Sequence, residues 1–219
     1  MKATILDGRQ TAFLHAASAI PFIRERFYLT GGTALAGFYL YHRYSEDLDF
    51  FSEQEIDVLN LDAALVGLKG TLQPSHVDFQ QSYNRNLFFL RFGEDVLKTE
   101  FTFFPFARIE KGGRTDGIEI DSLLDIAVNK LFSIYQRVTA RDYIDLYCII
   151  QEAQYSIAEL IAKAKLKFDW HIDPLQLGTQ FLKSREATDI PRMVKNIEPE
   201  IWRAFFLRAA KELGPEVVR

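Results

Sequence analysis

The segment Tyr28–Phe51, YLTGGTALAGFYLYHRYSEDLDFF, constrains this chain more than any other. It reads as a short extended run (Tyr28–Thr30), two glycines (Gly31, Gly32), a helix over Thr33–Tyr41, and a second strand over Leu48–Phe51 that is entered through Asp47 and carries Asp49. Glycine adopts the backbone angles of a sharp turn and lets another group approach the main chain closely. The helix that follows points its free N–H groups back at the turn, which favours an anion such as a triphosphate, and Thr33 adds a hydroxyl donor. Asp47 and Asp49 are two residues apart, so on a strand they share one face and Leu48 takes the other. Two carboxylates on one face do not both stay ionised comfortably without a cation. Magnesium, a hard ion that favours oxygen ligands and substrate phosphates, is the natural partner. An Asp-x-Asp or a Gly-Gly alone is ordinary turn chemistry. Glycines after a strand, then a helix, then Asp-x-Asp opening an apolar strand, all within about 25 residues, make a compound signal.

Two metals acting on a phosphoryl group need more oxygens than two carboxylates supply, so a third is expected. Glu100 is the candidate, in the strand-like run KTEFTFF. Alternation puts Lys98, Glu100 and Thr102 on one face and Leu97, Thr99, Phe101 and Phe103 on the other. The competing reading is a glutamate on an exposed face, paired with Lys98 or another nearby cation.

The second informative segment is Asn129–Tyr147, NKLFSIYQRVTARDYIDLY. Lys130 lies off the apolar stripe of its helix, in line with Arg137. In the next helix Asp142 and Asp145 share a face by their i, i+3 spacing, and Asp145 follows Arg141 by four. Without the first segment these would read as helices with solvated charges and local ion pairs.

The rest of the chain supplies the frame. Short strand-like runs mix with helices up to about residue 120, and helical periodicity dominates afterwards. Helical signals cover 9–26 (with Pro21 an interruption) and 55–69; strands are expected at Thr71–Gln80, Asn86–Phe92, Val96–Phe104 and Ile118–Ile120. Gly93–Glu94–Asp95 reads as a hairpin turn. Helices follow at about 122–138, 141–151, 156–167, 174–184 and 198–212, the last closed by Gly214–Pro215. The expected fold class is α+β: a mixed sheet with helices over residues 1–120, then a helical region over 121–219. Seven of the 19 phenylalanines cluster in Phe88–Phe106, as in strands packed on a core.

Composition excludes several classes. Net charge is −4, so the whole chain is no basic nucleic-acid protein, although the 26 lysines and arginines leave room for a local patch. Lys163, Lys165 and Lys167, with Lys183, Arg185, Arg192 and Lys195, could form one, or could be ordinary solvated helix faces. Cys148 is the only cysteine, and His15, His42, His76 and His171 have no metal-ligand spacing. No apolar run approaches the roughly 20 residues that cross a bilayer. The opening MKATILDGRQ lacks the apolar centre of a secretory signal, so a cytoplasmic location is expected.

Taken together, Gly32-Thr33, a spacer of thirteen residues, and Asp47-Leu48-Asp49 resemble the nucleotidyltransferase superfamily with the DNA polymerase β-type core. Arg43, Ser45, the Asp-Leu-Asp-Phe-Phe ending, and Lys130 followed by Arg141–Tyr147 narrow the resemblance to the AbiEii/AbiGii toxins of bacterial type IV toxin–antitoxin and abortive-infection systems. The resemblance spans about residues 10–150. It implies magnesium at Asp47 and Asp49 with Glu100 as third carboxylate. It also implies nucleotide contacts from Gly31, Gly32, Thr33, Arg43 and Ser45, and Lys130 neutralising the phosphates or positioning the nucleotide. Asp145 matches the late acidic position, with Asp142 an equally spaced rival. The implied activity is transfer of a nucleoside monophosphate from an NTP to an acceptor hydroxyl, with Glu100 or Asp49 accepting the proton. RNA, particularly the tRNA 3′ end, is the implied acceptor, and an antitoxin the implied partner. A protein or small-molecule acceptor, or a non-catalytic nucleotide- or partner-binding module, are the alternatives.

Overall fold

The computed structural model describes residues 5–214, which leaves Pro215 outside the described residues. The chain forms two compact units. One comprises residues up to Tyr39, Ser45–Ala107 and Lys111–Ser122; the other comprises Leu40–Tyr44, Arg108–Glu110 and the chain from Leu123 onward.

The first unit is built on β1 (Tyr28–Thr30), β2 (Leu48–Ser52), β3 (His76–Ser82), β4 (Arg85–Phe92), β5 (Asp95–Phe103), β6 (Arg114–Thr115) and β7 (Ile118–Ile120). They form one mixed sheet in the order β3-β4-β5-β2-β1-β7-β6. β2 runs antiparallel to β1 and parallel to β5. Four helical elements accompany the sheet. They are α1 (Gly8–Ser18), α2 (Pro21–Arg26), α4 (Val58–Leu72), and a short α-turn, α3 (Gly31–Ala34), that continues as a π-helix over Leu35–Leu40.

Local chemistry sets the boundaries. Pro21, which lacks an N–H, divides the first helical stretch by starting α2 at its first position. Asp7 caps α1 in a capping box with Gln10. Asp57 caps α4, which runs on to Leu72 and stops where Gln73 takes the left-handed conformation. The expected strand from Thr71 therefore starts later, at His76. Gly93, with φ of 68°, turns the β4–β5 hairpin.

One face of the sheet is aromatic. Phe101 is fully buried; its ring stacks on Phe50 at 5.0 Å and meets Phe27 edge-on at 5.1 Å. Phe13 of α1 reaches Phe50 at 6.0 Å. This core claims the odd positions of β5 and the even positions of β2, and so commits the alternate residues to the opposite face.

The second unit packs α5 (Leu123–Gln136), α6 (Ala140–Ala153), α7 (Ile157–Phe168), α8 (Pro174–Leu182) and α9 (Pro199–Leu213). Tyr143 of α6 stacks on Trp202 of α9 at 6.0 Å, and Phe206 lies between Tyr143 and Phe181 at 5.1 Å from each ring. Lys167, read from the sequence as part of a basic patch or of a solvated helix face, is instead buried. Its Nζ lies 2.6 Å from Oδ1 of Asp125, which also accepts the Ile109 and Glu110 N–H groups. No described helix is long and apolar enough to cross a membrane.

Phe101→Ala should destabilise the sheet unit by about 3–5 kcal/mol, the usual cost of emptying a phenylalanine site in a close-packed core. Urea unfolding followed by circular dichroism measures it.

Candidate functional site

Register brings the first acidic group together. Asp49 pairs with Thr30 of β1 on one side and with Glu100 of β5 on the other. Residues paired across neighbouring strands project to the same face, so Asp49 and Glu100 stand side by side, opposite the phenylalanine core. Asp47, two residues earlier, adds its carboxylate to that face.

The glycine turn abuts this group. Gly31 has φ of +72°, and a Cβ there would lie 2.5 Å from Asp49 Oδ2. Only glycine gives the turn both its backbone angles and the room the carboxylate occupies. Gly32 and Thr33 are buried beside it. The Thr33 hydroxyl, expected to face a phosphate, donates instead to the Asp47 carbonyl and ties the helix start to the approach of β2. The Gln10 side-chain amide donates to the carbonyls of Ser45, at 2.8 Å, and Glu46, at 3.2 Å, and holds the same approach from α1. For Ser45 the contact shown is thus through its main chain.

Glu100 is buried and doubly held. Arg85 of β4 donates Nε to Oε1 at 2.7 Å and Nη2 to Oε2 at 2.6 Å, and the Thr102 hydroxyl donates to Oε1 at 2.6 Å. Burial by itself would raise the carboxyl pKa; the Arg85 and Thr102 hydrogen bonds outweigh it and hold the group below its ordinary value. Lys98, one of the cations that the competing reading offered to Glu100, reaches Asp47 instead, with Nζ 2.5 Å from Oδ2. Among the described residues no three acidic, histidine or cysteine side chains are arranged to hold one ion. Asp47 and Asp49 provide the hard oxygen donors that suit a magnesium ion, beside the glycine turn that packs on Asp49. Both Glu100 oxygens accept hydrogen bonds in this arrangement, from Arg85 and Thr102.

The second acidic group assembles in the helical unit. Asp145 is fully buried and its oxygens receive Arg43 Nε at 2.6 Å, Arg43 Nη2 at 2.8 Å and Lys130 Nζ at 2.7 Å. His42 Nε2 lies 2.8 Å from Asp145 Oδ1. Arg141, four residues before Asp145, is not among these partners. Burial opposes ionisation of Asp145, yet Lys130 and Arg43 hold its carboxyl well below the usual range. Asp142 shares Lys130 at 2.8 Å and also meets Arg137 at 3.0 Å and the Thr139 hydroxyl at 2.6 Å. Lys130 is thus a buried cation between two carboxylates rather than a solvated one, and Arg43 is an anchor of Asp145.

Arg85 and His42 escape the sequence reading. The signal for Arg85 was present. A hairpin turning at Gly93–Glu94 pairs Phe92 with Asp95, and counting back sets Arg85 opposite Thr102, diagonal to Glu100. His42 has no comparable signal, because its partner is 103 residues away in sequence.

For Asp142, burial raises the pKa, but Lys130 and Arg137 bring it from 3.8 down to about 2. The folded state therefore keeps the carboxylate ionised where the unfolded chain is already protonated. Its stabilisation is fully present above about pH 4 and is lost as pH falls toward 2. Asp142→Asn, which leaves Lys130 and Arg137 short of a partner, should be less stable by roughly 3–5 kcal/mol at neutral pH. Urea unfolding at stepped pH should show the gap to wild type closing below about pH 4.

Comparison with known proteins places these features. The family model described as "Nucleotidyl transferase AbiEii toxin, Type IV TA system" matches residues 12–216. An uncharacterized protein of Aquifex aeolicus (strain VF5) is 30% identical over 192 residues, 85% of this chain and 87% of that protein. In fold, the chain is similar to JHP933 from Helicobacter pylori, with a TM-score of 0.59, 18% identity, and coverage of 97% of this chain and 94% of that one. It is also similar to the nucleotidyltransferase toxin MenT4 of Mycobacterium tuberculosis H37Rv, with a TM-score of 0.52, 14% identity, and coverage of 94% and 83%. With its α+β sheet unit, its Asp-x-Asp strand behind a glycine turn, and a family match over nearly its whole length, the chain belongs to the AbiEii nucleotidyltransferase toxins of type IV toxin–antitoxin systems and is a nucleotidyltransferase enzyme.

Proposed function

We propose that this enzyme transfers a nucleoside monophosphate from an NTP to a hydroxyl at the tRNA 3′ end, as the toxin partner of a cognate antitoxin. The observation that carries the reading is the register of β2 between β1 and β5. It sets Asp49 between Thr30 and Glu100 on the face opposite the core, beside a turn where only glycine at position 31 leaves room for the Asp49 carboxylate. The antitoxin is supported by membership of a toxin–antitoxin family; for the acceptor we adopt what the resemblance implies.

Asp47 and Asp49 are the residues proposed to hold magnesium, which when bound would neutralise triphosphate charge and polarise the phosphoryl group. Gly31 lets the main chain pass close to the Asp49 carboxylate, and for Gly31 and Gly32 we adopt the phosphate contacts that the resemblance implies. For Lys130 we adopt the role that the resemblance implies, neutralising phosphate charge. Asp145 and Arg43 then act as its framework: Asp145 binds Lys130 and Arg43 at once. That favours Asp145 over Asp142 as the acid that positions this group, since Asp142 has Lys130, Arg137 and Thr139 as partners but not Arg43.

In the reaction the acceptor oxygen bonds to the α-phosphorus while the α–β bridging P–O bond breaks. Pyrophosphate leaves with that electron pair, and the acceptor proton passes to a carboxylate. Glu100 is a poor base, because Arg85 and Thr102 occupy its oxygens and keep it ionised at lower pH than usual. Asp49 is therefore the proposed proton acceptor.

A second reading, transfer to a protein or small-molecule hydroxyl, is favoured by the burial of Lys167. This removes one lysine from the basic stretch that would have met an RNA.

The test is incubation with each α-labelled NTP, magnesium and bacterial tRNA. Wild type should label the RNA, and Asp49→Asn should lose roughly 100-fold or more of that transfer, as expected when a group that stabilises transition-state charge is removed. Label on protein alone moves the conclusion to the second reading. RNA labelling that survives in Asp49→Asn overturns the proposed site.

Gly31→Ala is a finer probe. Its Cβ displaces the Asp49 carboxylate, so transfer should fall roughly 10- to 100-fold while circular dichroism remains that of the folded protein.

A further inference from the structure

We infer that Lys98 is a tethered counter-ion that competes with the divalent cation for Asp47, and so couples metal binding to nucleotide binding. The inference rests on the proposed reading that Asp47 and Asp49 hold a divalent cation.

Three carboxylates, Asp47, Asp49 and Glu100, share the polar face of β2 and β5, and two cations, Lys98 and Arg85, neutralise them from neighbouring strand positions. The two cations are held differently. Arg85 grips Glu100 with two parallel hydrogen bonds, and that carboxylate is only 7% exposed. Lys98 makes a single contact with Asp47, Nζ to Oδ2 at 2.5 Å, and the two side chains are 28% and 32% exposed. A single-point ammonium contact at that exposure exchanges readily with solvent ions, whereas the forked guanidinium contact is geometrically fixed.

A divalent cation at Asp47 and Asp49 would share the Asp47 carboxylate with the Lys98 ammonium. The two positive charges repel at that distance, so metal entry weakens the Lys98 contact and favours its release. Lys98 stays on its strand, one position before Thr99, which pairs with Leu48. The released ammonium therefore remains beside the carboxylates, where the strongly anionic phosphates of an incoming nucleotide supply a new partner. Metal alone must work against Lys98; metal arriving with a nucleotide does not, because the nucleotide accepts the displaced charge. The device needs a flexible single-point cation, and lysine is suited to it where arginine is not.

The test measures Mn²⁺ binding by water-proton relaxation, first with the metal alone and then with a non-hydrolysable NTP analogue. It compares wild type, Lys98→Gln, Lys98→Arg and Asp49→Asn, each first shown to be folded by circular dichroism. Lys98→Gln should bind Mn²⁺ alone up to roughly fivefold more tightly than wild type, the range set by losing one partly exposed ion pair. It should also lose most of the further tightening that the analogue produces in wild type. Lys98→Arg, which keeps the charge, should not tighten binding. If Lys98→Gln binds Mn²⁺ as wild type does, or more weakly, while Asp49→Asn abolishes binding, the inference falls and the metal site stands. If wild type and all variants fail to bind Mn²⁺ with or without the analogue, the metal reading falls and this inference with it.

Discussion

Asp49 holds its place through hydrogen bonding that its own side chain does not make. Its strand is paired on both edges, antiparallel to β1 and parallel to β5, and the pairing sets Thr30, Asp49 and Glu100 in a row across the sheet. That register is enforced from the opposite face. Phe50 and Phe101 stack in the core, and a slip of one residue would turn both rings to the polar face and drive the carboxylates into the aromatic layer. The apolar half of the strand thus determines where the chemistry sits. The glycine turn follows from the same row: the chain leaving Thr30 passes so close to Asp49 that a side chain at Gly31 would collide with it.

The remaining organisation answers an electrostatic demand. Gathering acids on one sheet face and burying two more in the helical unit is costly unless each finds a partner. Four of these acids meet cations: Asp47 meets Lys98, Glu100 meets Arg85, Asp145 meets Arg43 and Lys130, and Asp142 meets Lys130 and Arg137. Such pairs contribute less to net stability than their distances suggest, because desolvation offsets much of the attraction; what they provide is a defined geometry. In the sheet unit the defined geometry is graded, with one carboxylate locked by a guanidinium and another held by a more readily displaced ammonium.

Much of the candidate site was legible in the sequence, and the reasons are local. Gly31, Asp47 and Asp49 follow from a turn and a two-residue period, and the shared face of Asp142 and Asp145 from helical spacing. The strand holding Glu100 was readable from its alternation. Which cation that glutamate meets was not, since Lys98 shares its strand but reaches the neighbouring approach to β2, while Arg85 arrives by hairpin register. Element ends slipped where a single residue's backbone angle decided them, as at Gln73, whose left-handed conformation ends α4 later than the apolar pattern does. Lys167 was misplaced for a different reason: helical periodicity reports which way a side chain points, not whether a carboxylate such as Asp125 waits in the core to receive it.

The sequence by itself determined the α+β character, the glycine turn, the Asp-x-Asp strand and the family. These rest on patterns confined to a few dozen consecutive residues, where backbone period and residue chemistry act directly. Tertiary structure alone decided the partners: Glu100 beside Asp49, Arg85 on Glu100, Lys98 on Asp47, and His42 and Arg43 on Asp145. Those contacts join residues up to 103 positions apart. Long-range pairing is settled by which faces the core consumes and by the need of each buried charge for a counter-charge, and neither is written in any one segment of the chain.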